Sequence, residues 1–113
     1  MNLETSDSGD FQVVTVHEPR IDAAIAIRFK DSMREATATN IPHVVLDLSA
    51  VEFVDSSGLG AIVAAMKQLG STRRLDLAGL TPMVARVFRL TRMDSVFTIH
   101  DSVAQAQAVY DSQ

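Results

Sequence analysis

The chain has 113 residues, 47% of them hydrophobic, with fourteen Asp and Glu against ten Lys and Arg, and it contains no cysteine. A chain of this length buries roughly two-thirds of its unfolded surface, enough for one domain with its own core. The missing cysteines exclude disulfides, thiolate zinc sites and cysteine nucleophiles, and a net charge of −4 argues against nucleic-acid binding driven by phosphate contacts. The longest wholly apolar run, residues 61–66, is far short of the about 20 residues a membrane helix needs. Residues 1–5 lack the basic and apolar stretches of a signal peptide. The expectation is a soluble, cytoplasmic, single domain over residues 1–113.

In chain order, residues 1–10 are polar, and Ser6-Asp7-Ser8-Gly9-Asp10 reads as a turn, so any strand before it is short and at an edge. Residues 11–17 (FQVVTVH) are rich in β-branched side chains and read as a strand, which Pro19 stops. Asp22 is placed to cap a first helix, whose inner stripe is Ile25, Phe29, Met33 and Ala36 and which ends near Asn40 before Pro42. Residues 43–48 (HVVLDL) form the nearly continuous apolar run of a strand covered on both faces. A second helix begins near Ser57, carries Leu59, Ile62, Val63, Met66 and Leu69 as its stripe, and stops at Gly70. Residues 75–78 are a short strand, and Thr81-Pro82 opens a third helix with proline at its first position. Its inner face is Val84, Val87, Phe88 and Thr91. Residues 96–100 are a further strand, and Asp101 or Ser102 caps a last helix through Val103, Ala106, Val109 and Tyr110. This alternation predicts an α/β fold: one mixed, mostly parallel sheet of four to five strands with about four packed helices.

The unusual passage is Val51-Glu52-Phe53-Val54-Asp55-Ser56-Ser57-Gly58-Leu59-Gly60. It joins a buried strand to an amphipathic helix, an exposed connection at a strand's carboxyl end, where open α/β sheets bind ligands and partners. Asp55, Ser56 and Ser57 are good caps. Yet the Glu or Gln of a capping box is missing, since Leu59 and Gly60 stand three residues beyond the two serines. Two glycines in a first helical turn also cost about 1 kcal/mol each. They would leave the first amides open to an anion at the positive end of the helix dipole. Capping alone and a functional loop are both open on these residues, and the glycines favour the loop.

Enzymatic readings do poorly. Val54 stands where a nucleophile elbow needs glycine, no lysine supports a phosphate-binding loop, and Val63 replaces the third glycine of a dinucleotide fingerprint. His17, His43 and His100 are the candidates for a Ser-His-Asp site with Ser56, and no spacing pairs them with it. No two histidines sit at metal-ligand spacing. Asp22, Asp47 and Asp55 invite comparison with a receiver pocket, but no lysine follows the last strand, and Asp47 reads as structural. Arg73-Arg74 and the trio Arg86, Arg89 and Arg92 read as solvated charge, and Ile27 as a lone exposed contact. No catalytic residue, cofactor or metal is expected.

Residues 44–69, VVLDLSAVEFVDSSGLGAIVAAMKQL, resemble the signature of STAS domains, in particular the bacterial anti-sigma factor antagonists. The likeness extends from Phe11 to the end, with Ile21-Asp22 resembling the family's aspartate at the start of helix one. The resemblance implies a STAS fold and a partner switch. An unmodified antagonist binds a GHKL-type serine kinase that doubles as anti-sigma factor, and so frees a sigma factor. Phosphorylation of the serine after the motif's aspartate, here Ser56, releases it, and a PP2C-type phosphatase reverses the mark. Asp22 and Asp55 match the acidic residues that help engage the kinase, within a partner-binding set of Asp22, Asp55, Ser56, Ser57, Gly58, Leu59 and Gly60. The chain departs from the family pattern at Pro19-Arg20 and Ala23-Ala24-Ile25, beside that surface. The alternative is a non-catalytic STAS subunit of a transporter or stressosome-like complex. Neither reading involves nucleic acid or membrane contact by this chain.

Overall fold

The computed structural model describes residues 1–112. Seven strands and four helices follow in the order β1 (Leu3–Ser8), β2 (Phe11–Val16), β3 (Arg20–Ile21), α1 (Ala26–Ala36), β4 (His43–Asp47), β5 (Phe53–Val54), α2 (Ser56–Leu69), β6 (Arg74–Ala78), α3 (Pro82–Leu90), β7 (Ile99–His100) and α4 (Val103–Asp111), with a 3₁₀ turn at Met93–Ser95. The main sheet has the order β1-β2-β4-β6-β7. Only β1 is antiparallel to its neighbour; the β2-β4, β4-β6 and β6-β7 pairs are parallel. This is the mixed, mostly parallel α/β architecture that the alternation predicts.

Strand periodicity divides the core. Val14, Val44, Leu46, Leu75 and Leu77 point to one face, where they meet Phe29 and Met33 of α1, Ile62 and Ala65 of α2, and Val84 and Phe88 of α3. Phe11, Val45 and Ala78 point to the other face and meet Ala106 of α4. Strand β4 is therefore apolar on both sides, because each side is covered. Gln12 is the polar exception on the sheet, as Thr37 is at the end of α1. Gln12 is buried facing α1, and its amide nitrogen donates to the Ala36 carbonyl at the end of that helix (2.9 Å).

Several local expectations are corrected. Ser6, Asp7 and Ser8 lie in β1, which pairs with β2 along its whole length, so the edge strand is full-sized and the turn is confined to Gly9 and Asp10. Asp22 does not cap α1, which starts four residues later with Ile25 at the N-cap and ends at Ala36 rather than near Asn40. Residues 96–98 are not strand: the chain leaves the 3₁₀ turn at Ser95 through a turn and bend, with Val96 exposed and Phe97 in the core, and pairing begins only at Ile99. On α2 the buried stripe is Gly58, Ala61, Ile62, Ala65 and Leu69, while Leu59, Val63 and Met66 are only half-buried. The small residues Gly58, Ala61 and Ala65 let this helix lie close to its neighbours, beside the large apolar Ile62 and Leu69.

Arg73 is not a solvated charge either. Half-buried, it donates from Nε to the Ile41 carbonyl (2.8 Å) and from Nη1 to the Thr37 carbonyl (2.9 Å). It thereby ties the end of α1 to the turn before β6. Asp47, by contrast, is structural as expected, accepting from the Ser49 amide at 3.0 Å. No helix among the described residues is long and apolar enough to cross a membrane.

Hydrogen bonds to charged groups contribute roughly 1.5–3 kcal/mol each, less with exposure. Arg73→Met keeps the aliphatic stem and removes both donors. It should lower unfolding free energy in urea by about 2 kcal/mol, whereas Arg86→Met on the open face of α3 should change it by less than about 0.5 kcal/mol. Equal effects would remove the tether.

Candidate functional site

The loop after β4 is shaped by a feature that hydrophobic patterning does not reveal. Residues Phe53 and Val54 form a second, two-stranded parallel sheet with Arg20 and Ile21. Val51 and Val54 are fully buried, so the passage before Asp55 is a packed strand and not simply an exposed connection. This small sheet brings the segment before α1 against the amino terminus of α2.

Contact between them is very close. A Cβ built on Gly58 would lie 1.8 Å from the Ile21 carbonyl oxygen. Only glycine lets the first turn of α2 approach the β3 backbone so nearly. Around Gly60 nothing lies within 4 Å of such an atom, so that glycine leaves open surface.

Asp55 is the N-cap of α2, and its two carboxylate oxygens accept from different elements: the Gly58 amide at 2.8 Å and the Ala23 amide at 3.1 Å. One side chain thus closes the helix end and clamps the 22–25 turn to it. Asp22 accepts from the Ala24 amide (3.1 Å) and from Arg20 Nε (3.2 Å), and the Arg20 guanidinium lies 4.5 Å from the centre of the Phe53 ring. The Gly58 amide holds the Asp55 carboxyl below its ordinary value, with the Ala23 and Ser57 amides and the Arg20 charge acting in the same direction against partial desolvation. Asp55 therefore stays ionised through the neutral range.

Of the residues the sequence singles out, the fold brings Asp22, Asp55, Ser56 and Ser57 to one place. Ser56 and Ser57, the first two residues of α2, are exposed, as is Gly60. Gly58 is buried with its amide occupied, and Leu59 is half-buried with one side against the core. An open amide at Gly58, one basis for reading the loop as anion-binding, is thereby excluded. Arg20 and Ala23, which the sequence marks only as departures from the family pattern, turn out to bind the two aspartates, Ala23 through its backbone alone.

The histidines do not converge on Ser56. His17 meets Glu4 (2.8 Å), His100 meets Asp76 (2.9 Å), and His43 stands edge-on to Tyr110 with ring centres 4.9 Å apart. Among the described residues no group of His, Asp and Glu could hold a metal ion.

A mixed sheet flanked by helices, with an exposed serine at the head of α2 held by an aspartate clamp, defines an α/β module built around one loop. The chain belongs to the STAS domain family, whose model matches residues 2–106, and within it to the anti-sigma factor antagonists. It is 30% identical over 87 residues to the anti-sigma-F factor antagonist RsfB of Mycobacterium tuberculosis, covering 74% of this chain and 71% of that one. A solved anti-sigma factor antagonist from Mycobacterium paratuberculosis superposes with a TM-score of 0.84 at 28% identity, covering 96% of this chain and 92% of the other. The anti-sigma factor antagonist SpoIIAA in its unphosphorylated form shares the fold, with a TM-score of 0.77 at 16% identity over 99% of this chain and 98% of that one.

The two glycines should respond oppositely to one methyl group. Gly58→Ala should cost about 3 kcal/mol by overpacking against the Ile21 carbonyl, while Gly60→Ala should stabilise by about 0.5–1 kcal/mol. Urea unfolding of both variants checks this, and similar effects would rule out the close approach. Asp55 also sets a pH signature. A carboxyl whose value is lowered in the folded chain adds stability above its ordinary value of 3.8, and loses it as pH falls through the lowered value. The advantage of the native chain over Asp55→Asn should therefore be complete at neutral pH and disappear in acid below that range.

Proposed function

We propose that the chain is an anti-sigma factor antagonist acting as a partner switch, with Ser56 as the toggle. Unmodified, it docks through the head of α2 on a GHKL-type anti-sigma factor that is also a serine kinase, and this frees a sigma factor. Phosphorylation of Ser56 by that kinase ends the complex, and a PP2C-type phosphatase resets the chain. The module itself turns nothing over and works in the cytoplasm. Asp22, Asp55, Ser56, Ser57 and Gly60 belong to or border the docking surface, with Gly58 and Leu59 supporting it from beneath.

One observation carries this reading: an exposed hydroxyl on the first residue of α2, directly after a carboxylate whose two oxygens are already bound by backbone amides. Asp55 holds the serine in place without covering it. A phosphate on Ser56 would add roughly −1.5 to −2 charges. It would arrive beside an ionised Asp55, with Asp22 tied to the same turn. The Gly58 amide that would otherwise favour it is occupied. Against a partner, that unmatched charge must be desolvated. A loss of about 3–4 kcal/mol lowers affinity by two to three decades, with no refolding.

The test uses the kinase partner recovered with the unmodified chain. By calorimetry Ser56→Ala should bind as the native chain does and Ser56→Asp at least tenfold more weakly. Adding ATP to the native complex should release the partner and leave a phosphate that mass spectrometry places on Ser56. Equal affinities, or a bare Ser56 in a complex that ATP leaves intact, would overturn the switch and favour a docking subunit of a transporter or stressosome-like assembly.

A further inference from the structure

The outer face of α3 is not explained by the Ser56 loop. Its inner residues Val84 and Phe88 are fully buried. On the other side, at helical spacing, Met83 is 51% and Leu90 74% exposed, with Arg86 between them and Arg89 alongside. Pro82, Met83, Ala85, Arg86 and Arg89 line a shallow open groove. Neither Arg86, Arg89 nor Arg92 takes part in an ion pair among the described residues. In a chain with ten basic residues and a net charge of −4, three unpaired arginines beside two exposed apolar side chains form a distinct patch.

Backbone strain marks the same place. Arg92, just past the end of α3, has φ 61° and is the one non-glycine residue in the left-handed region among those described. Helices commonly end in that conformation on glycine, which adopts it freely, whereas a side chain is strained there. The chain keeps an arginine where glycine would relieve the strain, and that cation is exposed directly after the helix.

From this geometry we infer that the outer face of α3, with Arg92, is a second docking surface, for an acidic amphipathic helix of a protein partner. Carboxylates would pair with Arg86, Arg89 and Arg92, and apolar side chains would cover Met83 and Leu90. A protein fits better than an anionic membrane. The free face belongs to a helix of nine residues, about 13 Å long, and the rest of the chain is strongly acidic and would be repelled by such a bilayer. A second copy fits less well: its acidic edge strand with Glu4 and Asp7 and its acidic α2 head expose no large apolar side chain, and the exposed Ile27 of α1 has the cations Arg28, Lys30 and Arg34 around it.

The probe is a synthetic helical peptide with Leu on one face and Glu on the other, titrated into the full-length chain and followed by amide NMR. Shifts should be confined to residues 82–96, and the double variant Arg86→Glu/Arg89→Glu should weaken binding at least tenfold. A peptide with Lys in place of Glu should not bind. Arg92→Gly separates surface from scaffold: Tm should rise by roughly 3 °C as strain is relieved, while affinity falls about threefold. Four results would overturn the inference: shifts elsewhere or none, equal binding of the Lys peptide, a lower Tm for Arg92→Gly, or concentration-dependent self-association that Arg86→Glu/Arg89→Glu abolishes. Equal or tighter binding to phosphatidylserine vesicles than to the Glu peptide would likewise overturn it in favour of a membrane.

Discussion

The site depends on one backbone contact, the approach of the first turn of α2 to the Ile21 carbonyl at Gly58. From that distance the Asp55 carboxylate spans two elements, reaching the amide of its own helix and the Ala23 amide of the preceding turn. A side chain at position 58 would lift α2 away from β3. The longer of the two bonds would break first, and Ser56 would lose its fixed place relative to Asp22. The two-stranded β3-β5 sheet keeps this contact rigid, because it joins the chain on both sides of α1. Core packing under the sheet supports the arrangement but does not specify it.

Charge follows from the same geometry. A helix amino terminus ordinarily welcomes an anion, but here Asp55 already occupies that position and is kept ionised by the amides it binds. On the proposed reading, an added phosphate therefore meets a terminus that is partly neutralised and a neighbour of like charge. On that reading the aspartate that caps the helix before the serine would also make its modified form unfavourable at a buried surface. That is a physical basis for a switch that needs no change of fold.

Much of this was legible in the sequence. Val44, Val45 and Leu46 are apolar in succession because α1, α2 and α3 cover one face of β4 and α4 the other, and such a run has few other readings. Thr81-Pro82 and Gly70 mark helix limits because proline and glycine act through local backbone geometry. What stayed hidden was tertiary. Asp22 looks like a cap, yet the 22–25 turn intervenes because Ala23 and Ala24 donate their amides to Asp55 and Asp22. Nothing in the side chain of an alanine announces that role. Gly58 and Gly60 look equivalent as letters, and only the presence of Ile21 beside one of them makes their duties differ. Arg73 and Arg86 likewise share a residue type, while one donates to two backbone carbonyls and the other faces solvent.

The loop and α3 are physically joined. Thr81 holds the N-cap position of α3 but makes no side-chain cap; its hydroxyl donates instead to the Val51 carbonyl at 2.8 Å. Helix α3 also packs on β5, the strand that leads directly into Asp55. Its inner face thus helps fix the position of Ser56, while its outer face is left free of structural work. Opposite chemistry on the two exposed regions, acidic at the head of α2 and basic along α3, means that a partner matched to one is mismatched to the other. On the two proposed readings, one module would hold two partners apart by charge, and modification of the acidic region would leave the basic one unchanged.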